Sequence, residues 1–301
     1  MTRPSFMNTE QAFAQYENVR ASFPSASFPA ASKTGRDLSD TVDDFDAYIL
    51  DAFGVLNRGE TPIEGAVERI AELRAKGKRL VVLTNAASYT REKVLAKYHR
   101  LGFDFTADEV VSSRDVAFAA LPAGNWAAAA TEADDFSDAP EGVRLGQLLD
   151  DPSLYDTAGG FILLSSERWQ EADTERLIAA LKDHPRPLVV ANPDLVAPRE
   201  HDLSIEPGTF AHRIAAETGV TPDFYGKPFG NAFGTALARL NGIDRSRIAM
   251  VGDTLHTDVL GGAAAGIGSI LITDHGLFSG QDVTPFIEAS GIRPSWIVST
   301  T

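Results

Sequence analysis

In the stretch YILDAFGVL (residues 48–56), the apolar run YIL (48–50) predicts a buried strand that leads directly into a carboxylate, Asp51. Similar apolar runs lead into polar residues in LVVLTN (80–85) and IAMVGD (248–253), and amphipathic helical segments lie between them. Strands that alternate with such helices are typical of βαβ units and a parallel sheet. The sequence therefore predicts an α/β protein with a Rossmann-like, doubly wound parallel sheet as its core.

The alternating pattern weakens in the middle of the chain, which indicates an inserted domain. Residues 122–208 begin with a weakly periodic, acidic stretch before two apolar strands restore an α/β rhythm. We predict that residues 41–121 and 209–301 form the core and that 122–208 form an inserted α/β cap domain. Residues 1–40, with a short helix and a loop rich in Pro, Ser and Ala, are predicted to be a packing arm.

Length, charge and cysteine content exclude several classes of protein. A chain of 301 residues buries enough surface to need no disulfide or zinc staple, and without cysteine it has no thiol catalysis. The net charge of −15 argues against nucleic acid or anionic membranes as partners, because like charges repel. No stretch reads as a signal peptide or a membrane span. We therefore expect a cytoplasmic protein that acts on a small molecule.

Polar side chains with matching chemistry follow four of the predicted strands. Open parallel sheets bind ligands at the carboxyl ends of their strands. Buried carboxylates are costly unless a cation pairs with them, and Mg²⁺ prefers one or two carboxylates together with water and substrate oxygens. A lysine would add the local positive charge that this acidic chain otherwise lacks. The predicted site for Mg²⁺ and a phosphoryl group consists of Asp51, Thr84, Asn85, Lys227, Asp253 and Asp258.

These stretches resemble, in order, the four motifs of the haloacid dehalogenase (HAD) superfamily. The motifs are DAFGVL (51–56), LTN (83–85), GKP (226–228) and GDTLHTD (252–258). The turn Asn192-Pro-Asp194 is similar to a feature of the NagD-like, or 4-nitrophenylphosphatase-like, branch with its large α/β cap. The resemblance covers about residues 45–275 and implies a HAD-like fold and a phosphatase of this branch.

The resemblance also implies how the phosphoryl group is transferred. Asp51 would attack phosphorus and form an aspartyl-phosphate. Thr84 would bind phosphoryl oxygens, and Lys227 would neutralise the charge shared between the phosphoryl group and Asp51. Asp253 would bind Mg²⁺ directly, so that metal and lysine together supply the electrostatic stabilisation that phosphoryl transfer requires.

Two further sets of residues follow from the same resemblance. The metal ligands would be Asp51, the backbone carbonyl of Phe53, Asp253 and, through water, Asp258. The substrate contacts would be Thr84, Asn85, Asn192, Asp194 and Lys227. For Asn192 and Asp194 an ordinary turn is an equally good interpretation, because Asn-Pro and Asp favour turns.

Phe53 departs from the family pattern. Phosphatases of this superfamily usually carry an aspartate two residues after the nucleophile, where it protonates the leaving group and activates the water. Phe53 does neither, and a positioned general acid–base is worth roughly 10²–10⁴-fold. We therefore expect slow turnover, a leaving group that needs little protonation, or a substitute acid. His256 is a candidate for that acid, against the plainer interpretation that it only packs nearby.

Two other functions stay open because of Phe53. One is a weak pseudo-phosphatase that binds a phosphometabolite or a partner without significant turnover. The other is a metal-independent haloacid dehalogenase, since those enzymes carry an aromatic residue at the same position. Lys227 in its Gly-Lys-Pro motif and the intact pair Asp253 and Asp258 favour phosphoryl chemistry instead.

The predicted cap is expected to close over the site and to select the substrate. The expected substrate is a small phosphorylated metabolite, a sugar phosphate or a nucleotide-like compound. A homodimer through the cap is expected only by analogy with related proteins. The acidic run EADDFSD (132–138) is interpreted as solvated surface of the insertion.

Overall fold

The computed structural model describes residues 7–198 and 203–301, which form two parallel sheets covered by helices. All neighbouring strands of the larger, seven-stranded sheet run parallel. Its strands, in spatial order, are β1 (Lys33–Gly35), β16 (Trp296–Val298), β15 (Gly268–Ile272), β14 (Ile248–Gly252), β2 (Ala47–Leu50), β5 (Arg79–Thr84) and β6 (Val110–Ser112).

The smaller sheet has five strands, which are also parallel. In spatial order they are β13 (Asp223–Phe224), β10 (Leu188–Val190), β9 (Gly160–Leu163), β7 (Gly124–Ala129) and β8 (Val143–Gln147). Two antiparallel hairpins complete the described strands: β3 (Asn57–Arg58) with β4 (Thr61–Pro62), and β11 (Val196–Pro198) with β12 (Leu203–Ile205).

The helices lie where the apolar periodicity predicts most of them. They are α1 (Thr9–Asn18), α2 (Ala66–Ala75), α3 (Arg91–Arg100), α4 (Ser113–Ala120), α5 (Leu154–Thr157), α6 (Glu171–Asp183), α7 (Pro207–Thr218), α8 (Gly230–Ala238), α9 (Leu260–Ala264) and α10 (Thr284–Ser290). No helix in the described part of the chain is long and apolar enough to cross a membrane.

The larger sheet is buried on both faces. Along β2, Tyr48 and Leu50 pack into one hydrophobic cluster, whereas Ile49 packs with Phe233 of α8 in another on the opposite side. This alternation follows from the two-residue period of a strand. Helices on both faces of a parallel sheet are the doubly wound arrangement, so the predicted α/β fold class is confirmed.

The smaller sheet extends further along the chain than the predicted cap. β13 pairs with β10, and α7 packs against α6, so residues 207–224 join the smaller sheet and its helices. The predicted boundary at residue 208 is therefore too early. A short strand followed by a helix has the same apolar pattern in either sheet, and the pattern does not show which neighbour the strand pairs with.

The N-terminal segment is also more than a packing arm. The predicted helix is present as α1, whose start is capped by Asn8 and Gln11. The loop after it leads into β1, which pairs with β16 and forms one edge of the larger sheet. Residues 33–35 therefore belong to the core, in a stretch where the sequence KTG has no apolar pattern to indicate a strand.

Candidate active site

The carboxyl ends of β2, β5 and β14 meet at one edge of the larger sheet. Asp51 follows β2, Thr84 ends β5, and Asp253 follows β14, and β2 lies between the other two strands. Because the strands are parallel neighbours, their last side chains lie close together. Lys227 is contributed by the smaller sheet, because it follows β13 in the chain.

Lys227 joins two of the predicted carboxylates. Its Nζ lies 2.6 Å from Asp51 Oδ1 and 2.7 Å from Asp258 Oδ1, and the side chain is buried. Burial alone would lower the pKa of Lys227, but the carboxylates of Asp258, Asp51 and Asp194 raise it above its usual value. Lys227 is therefore a permanent cation in a buried site.

Three carboxylates surround this cation. Oxygen atoms of Asp51, Asp253 and Asp258 all lie within 4.8 Å of one another. Burial and the neighbouring charge of Asp258 raise the pKa of Asp51 to about 6 and that of Asp253 to about 8, although Lys227 works in the opposite direction. One lysine thus leaves the cluster short of positive charge. Clustered carboxylate oxygens are the ligands of a hard divalent cation, so these residues fit such an ion.

Backbone groups hold the acidic cluster in place. Asp253 Oδ2 accepts a hydrogen bond from the N–H of Leu277 at 2.7 Å, and Asp258 Oδ2 accepts one from the N–H of Thr254 at 3.0 Å. A π-helical turn over Leu255–Val259 carries Asp258. A Cβ at residue 252 would lie 2.0 Å from Asp258 Cγ, so only glycine fits at that position.

Asn85 makes three hydrogen bonds within the protein. Its Nδ2 donates to Asp194 Oδ1 at 2.8 Å and to the carbonyl of Lys227 at 3.0 Å, and its Oδ1 accepts from the N–H of Lys227 at 2.7 Å. The side-chain amide therefore fixes the backbone of Lys227 and links it to Asp194. Thr84 beside it is buried, and its Oγ1 accepts from the N–H of Ala86 at 3.1 Å.

Asn192 and Asp194 have different environments. Asn192 Oδ1 accepts from the N–H of Asp194 at 3.1 Å, and its Nδ2 donates to Glu206 Oε2 at 3.0 Å, which supports the turn interpretation. Asp194 lies at the site, because its Oδ1 accepts a hydrogen bond from Asn85 Nδ2 at 2.8 Å. Burial raises the pKa of Asp194 well above its usual value, and the charge of Asp51 adds to this effect while Lys227 opposes it. The structure thus brings Asp194 to the site and places Asn192 in the turn behind it.

Phe53 is partly buried and packs against the protein core. Its ring lies against the hydrophobic cluster that contains Tyr48 and Leu50, and Lys97 Nζ of α3 lies 5.1 Å from the ring centroid. The phenyl ring has no group that transfers a proton.

His256 is not the substitute acid. Its Nε2 lies 2.5 Å from Glu17 Oε1, and its ring is stacked on Tyr16 with centroids 5.0 Å apart. Burial lowers the pKa of His256 to about 4, even though Glu17 works in the opposite direction. A neutral, enclosed imidazole that is paired with α1 cannot protonate a leaving group at neutral pH. These contacts support the interpretation that His256 only packs nearby. The helical periodicity of α1 predicts a helix but does not show that this helix covers His256.

The acidic run at 132–138 is not simply solvated. Arg114 of α4, fully buried, pairs with Asp134 at 2.5 Å and with Asp138 at 2.7 Å. Its Nη1 also donates to the carbonyl of Ala87 at 3.2 Å. The interpretation as solvated surface is therefore wrong for these two aspartates, because the sequence does not show that a buried arginine lies opposite them.

Two family models match the chain in separate segments. The haloacid dehalogenase-like hydrolase model matches residues 48–131, and the HAD-hydrolase-like model matches residues 224–300. A curated relative, the acid sugar phosphatase of Staphylococcus aureus (strain USA300), is 28% identical over 238 residues, which cover 75% of this chain and 85% of the relative.

Solved structures share the complete fold. A possible sugar phosphatase of the HAD superfamily from Cytophaga hutchinsonii has a TM-score of 0.77 and 26% identity, covering 90% of this chain and 98% of that one. The glycerol phosphate phosphatase of Mycobacterium tuberculosis in complex with magnesium has a TM-score of 0.67 and 25% identity, covering 86% and 76%. NagD of E. coli K-12, at 23% identity and a TM-score of 0.64, shares the fold over 85% and 96%.

Proposed function

Because this chain belongs to the haloacid dehalogenase-like hydrolases, in the NagD-like branch, we propose that it is a Mg²⁺-dependent phosphatase that hydrolyses a small phosphate ester through an aspartyl-phosphate on Asp51. One observation carries the proposal. Asp51 lies 2.6 Å from a permanently charged lysine, beside two further carboxylates that need a cation.

The residues present account for the first half of the reaction. Asp51, as the carboxylate, attacks phosphorus while the bond from phosphorus to the leaving oxygen breaks. Lys227 neutralises charge on the phosphoryl group, and the hydroxyl of Thr84 binds one of its oxygens. Asp51, Asp253 and the carbonyl of Phe53, with Asp258 through water, would hold Mg²⁺, which would supply further charge stabilisation for the phosphoryl oxygens. Water then hydrolyses the aspartyl-phosphate and regenerates Asp51.

Leaving-group chemistry limits the substrates. With Phe53 in place of an acid, departure of an alkoxide is slow, whereas departure of an acidic phenol needs little protonation. We therefore expect higher kcat with aryl phosphates than with sugar phosphates. The natural substrate class is proposed from the relatives, which include an acid sugar phosphatase and a glycerol phosphate phosphatase.

A direct assay tests the proposal. Hydrolysis of p-nitrophenyl phosphate and a panel of sugar phosphates is measured with and without Mg²⁺ for wild type and Asp51→Asn. We expect Mg²⁺-dependent turnover in wild type and a loss of about 10³-fold or more in Asp51→Asn, which keeps the size of the side chain but is no nucleophile. Absence of turnover with every ester would refute a phosphatase.

The second candidate is a pseudo-phosphatase, which Phe53 favours because it lacks a proton-transfer group. The same samples distinguish the two functions. A pseudo-phosphatase binds a phosphorylated compound, seen by calorimetry, without releasing phosphate. Mg²⁺-independent release of chloride from a haloacid would instead indicate a dehalogenase.

A further inference from the structure

The N-terminal helix α1 lies behind the candidate site, although the family models match only residues 48–131 and 224–300. Thr9 Oγ1 donates to the carbonyl of Leu277 at 2.9 Å, and the N–H of Leu277 donates to Asp253. Glu17 and Tyr16 enclose His256, between Asp253 and Asp258 in sequence. These contacts fix α1 to the larger sheet.

Tyr16 also reaches the far side of the site. Its hydroxyl accepts a hydrogen bond from the N–H of Leu195 at 3.2 Å, and its side chain is 1% exposed. Leu195 directly follows Asp194, in the segment that leads out of the smaller sheet. Tyr16 and Leu195 also pack in one hydrophobic cluster, and a cavity of about 720 Å³ beside them is lined by α1, Trp169 and Phe210.

The hydrogen bonds continue from Leu195 to the nucleophile. Asp194 Oδ1 accepts from Asn85 Nδ2 at 2.8 Å, and Asn85 binds both the N–H and the carbonyl of Lys227 at 2.7 and 3.0 Å. Lys227 Nζ in turn pairs with Asp51 Oδ1, 2.6 Å away. Hydrogen bonds, the Asp194–Leu195 backbone and the side chain of Lys227 therefore connect α1 to Asp51.

We propose that Tyr16 and Asp194 are positioning residues that hold Lys227 in register with Asp51. Lys227 follows a strand of the smaller sheet, and Asp51 follows a strand of the larger one, so their distance depends on how the two sheets are held together. Tyr16 fixes the Asp194 segment from the larger sheet, and Asp194 fixes Asn85. A misplacement of about 1 Å in a catalytic constellation costs about 10²-fold in rate. The kinetic part of this inference rests on the proposed function.

Amide hydrogen exchange tests the positioning role without any turnover. Tyr16→Phe removes only the hydroxyl, and Asp194→Ala removes the acceptor for Asn85. Both are expected to increase exchange of the Lys227 amide, measured residue by residue by NMR. The matched control is Tyr155→Phe, since the buried Tyr155 hydroxyl has no hydrogen-bond partner among the described residues. An unchanged Lys227 amide in both variants would overturn the proposal, whether or not the protein is a phosphatase.

Kinetics with p-nitrophenyl phosphate give the second measurement. In Tyr16→Phe we expect kcat to fall about tenfold with little change in KM, since one buried N–H loses its partner. Asp194→Asn keeps an oxygen that accepts from Asn85 and should recover most of the rate that Asp194→Ala loses. An equal loss of kcat in Asp194→Ala and Asp194→Asn would show that the charge or the proton of the Asp194 carboxyl is what matters. That result would contradict a positioning role. If the wild type is inactive but exchange of the Lys227 amide is still faster in the variants, the proposed phosphatase function is refuted and the positioning role is supported.

Discussion

At the scale of single residues, the chemistry of the site depends on Asp51 and on the side chain two positions after it. Asp51 has its lysine and its acidic neighbours within contact distance. Phe53 packs against the core, with Lys97 over its ring. In the proposed mechanism the site therefore has a nucleophile and charge stabilisation, but residue 53 provides no acid to assist departure of the leaving group.

Restoring the acid is expected to increase the rate. Phe53→Asp should raise kcat for an alkyl phosphate, within the roughly 10²–10⁴-fold that general acid–base catalysis provides, and raise it less for p-nitrophenyl phosphate. The control is Phe53→Asn, which removes the same ring without adding a titrating group. An equal gain in both variants would show that space, not proton transfer, limits turnover.

The convergence of the candidate residues could be predicted from the sequence, whereas their hydrogen-bond partners could not. Asp51, Thr84 and Asp253 each follow an apolar strand, so the parallel sheet alone brings them together. Asn85 and Asp194 were predicted to contact substrate, but their hydrogen bonds join segments far apart in the chain. A motif shows which chemical groups are present and does not show which of them bind each other.

At the scale of elements, α4 connects the two sheets and carries a buried ion-pair cluster. Arg114 bridges two aspartates of the loop after β7 and the carbonyl of Ala87, in the loop that follows Thr84 and Asn85. Those acidic groups hold the pKa of Arg114 above its usual value in spite of its burial. The cluster therefore ties the loop after β7 to the loop beside the candidate site.

Removing this arginine is expected to destabilise the protein strongly. Arg114→Met leaves two aspartates without their partner and should cost about 3–5 kcal/mol of unfolding free energy, measured by denaturant titration. The control Arg36→Met removes an exposed arginine, 3.8 Å from Asp40, and should cost less than about 1 kcal/mol. Similar losses in both variants would contradict a structural role for the cluster. If Arg114→Met does not fold, Asp138→Asn provides a milder comparison.

Element types were easier to predict than element partners. The helical period of α6 and the apolar strands β9 and β10 follow from their own sequences. The membership of β13 in the smaller sheet depends on pairing with β10, more than thirty residues earlier. Edge strands such as β1, which is partly exposed, lack the apolar pattern that identifies a buried strand.

At the scale of the whole molecule, a net charge of −15 surrounds a site for an anionic substrate. Part of that acidity belongs to the site itself, because Asp51, Asp253 and Asp258 form one cluster, and two of them pair with Lys227. A cation bound there would offset the repulsion locally while the surface stays acidic. The global charge therefore excludes polyanionic partners but remains compatible with a small phosphate ester.

The raised pKa values predict how Mg²⁺ affects stability. Both Asp51 and Asp253 bind protons more tightly in the folded chain, so their stabilising contribution is lost as the pH rises through about 6 and about 8. Mg²⁺ binds the deprotonated groups and should therefore increase Tm more above pH 8 than below pH 6. Differential scanning calorimetry with and without Mg²⁺ measures the change in Tm at each pH. The control Asp253→Asn should lose most of the effect, and a pH-independent increase would contradict binding at this cluster.

Trapping the covalent intermediate tests whether hydrolysis proceeds through an aspartyl-phosphate on Asp51. Wild type is mixed with p-nitrophenyl phosphate and Mg²⁺, quenched in acid within the first turnovers, and mapped by peptide mass spectrometry. With no acid–base at residue 53 to activate water, hydrolysis of the intermediate should be slow enough for it to accumulate. We predict that the peptide with Asp51 gains the mass of one phosphoryl group and that Asp51→Asn shows no such peptide. Turnover without phosphorylation of Asp51, or with phosphorylation at another residue, would contradict the account.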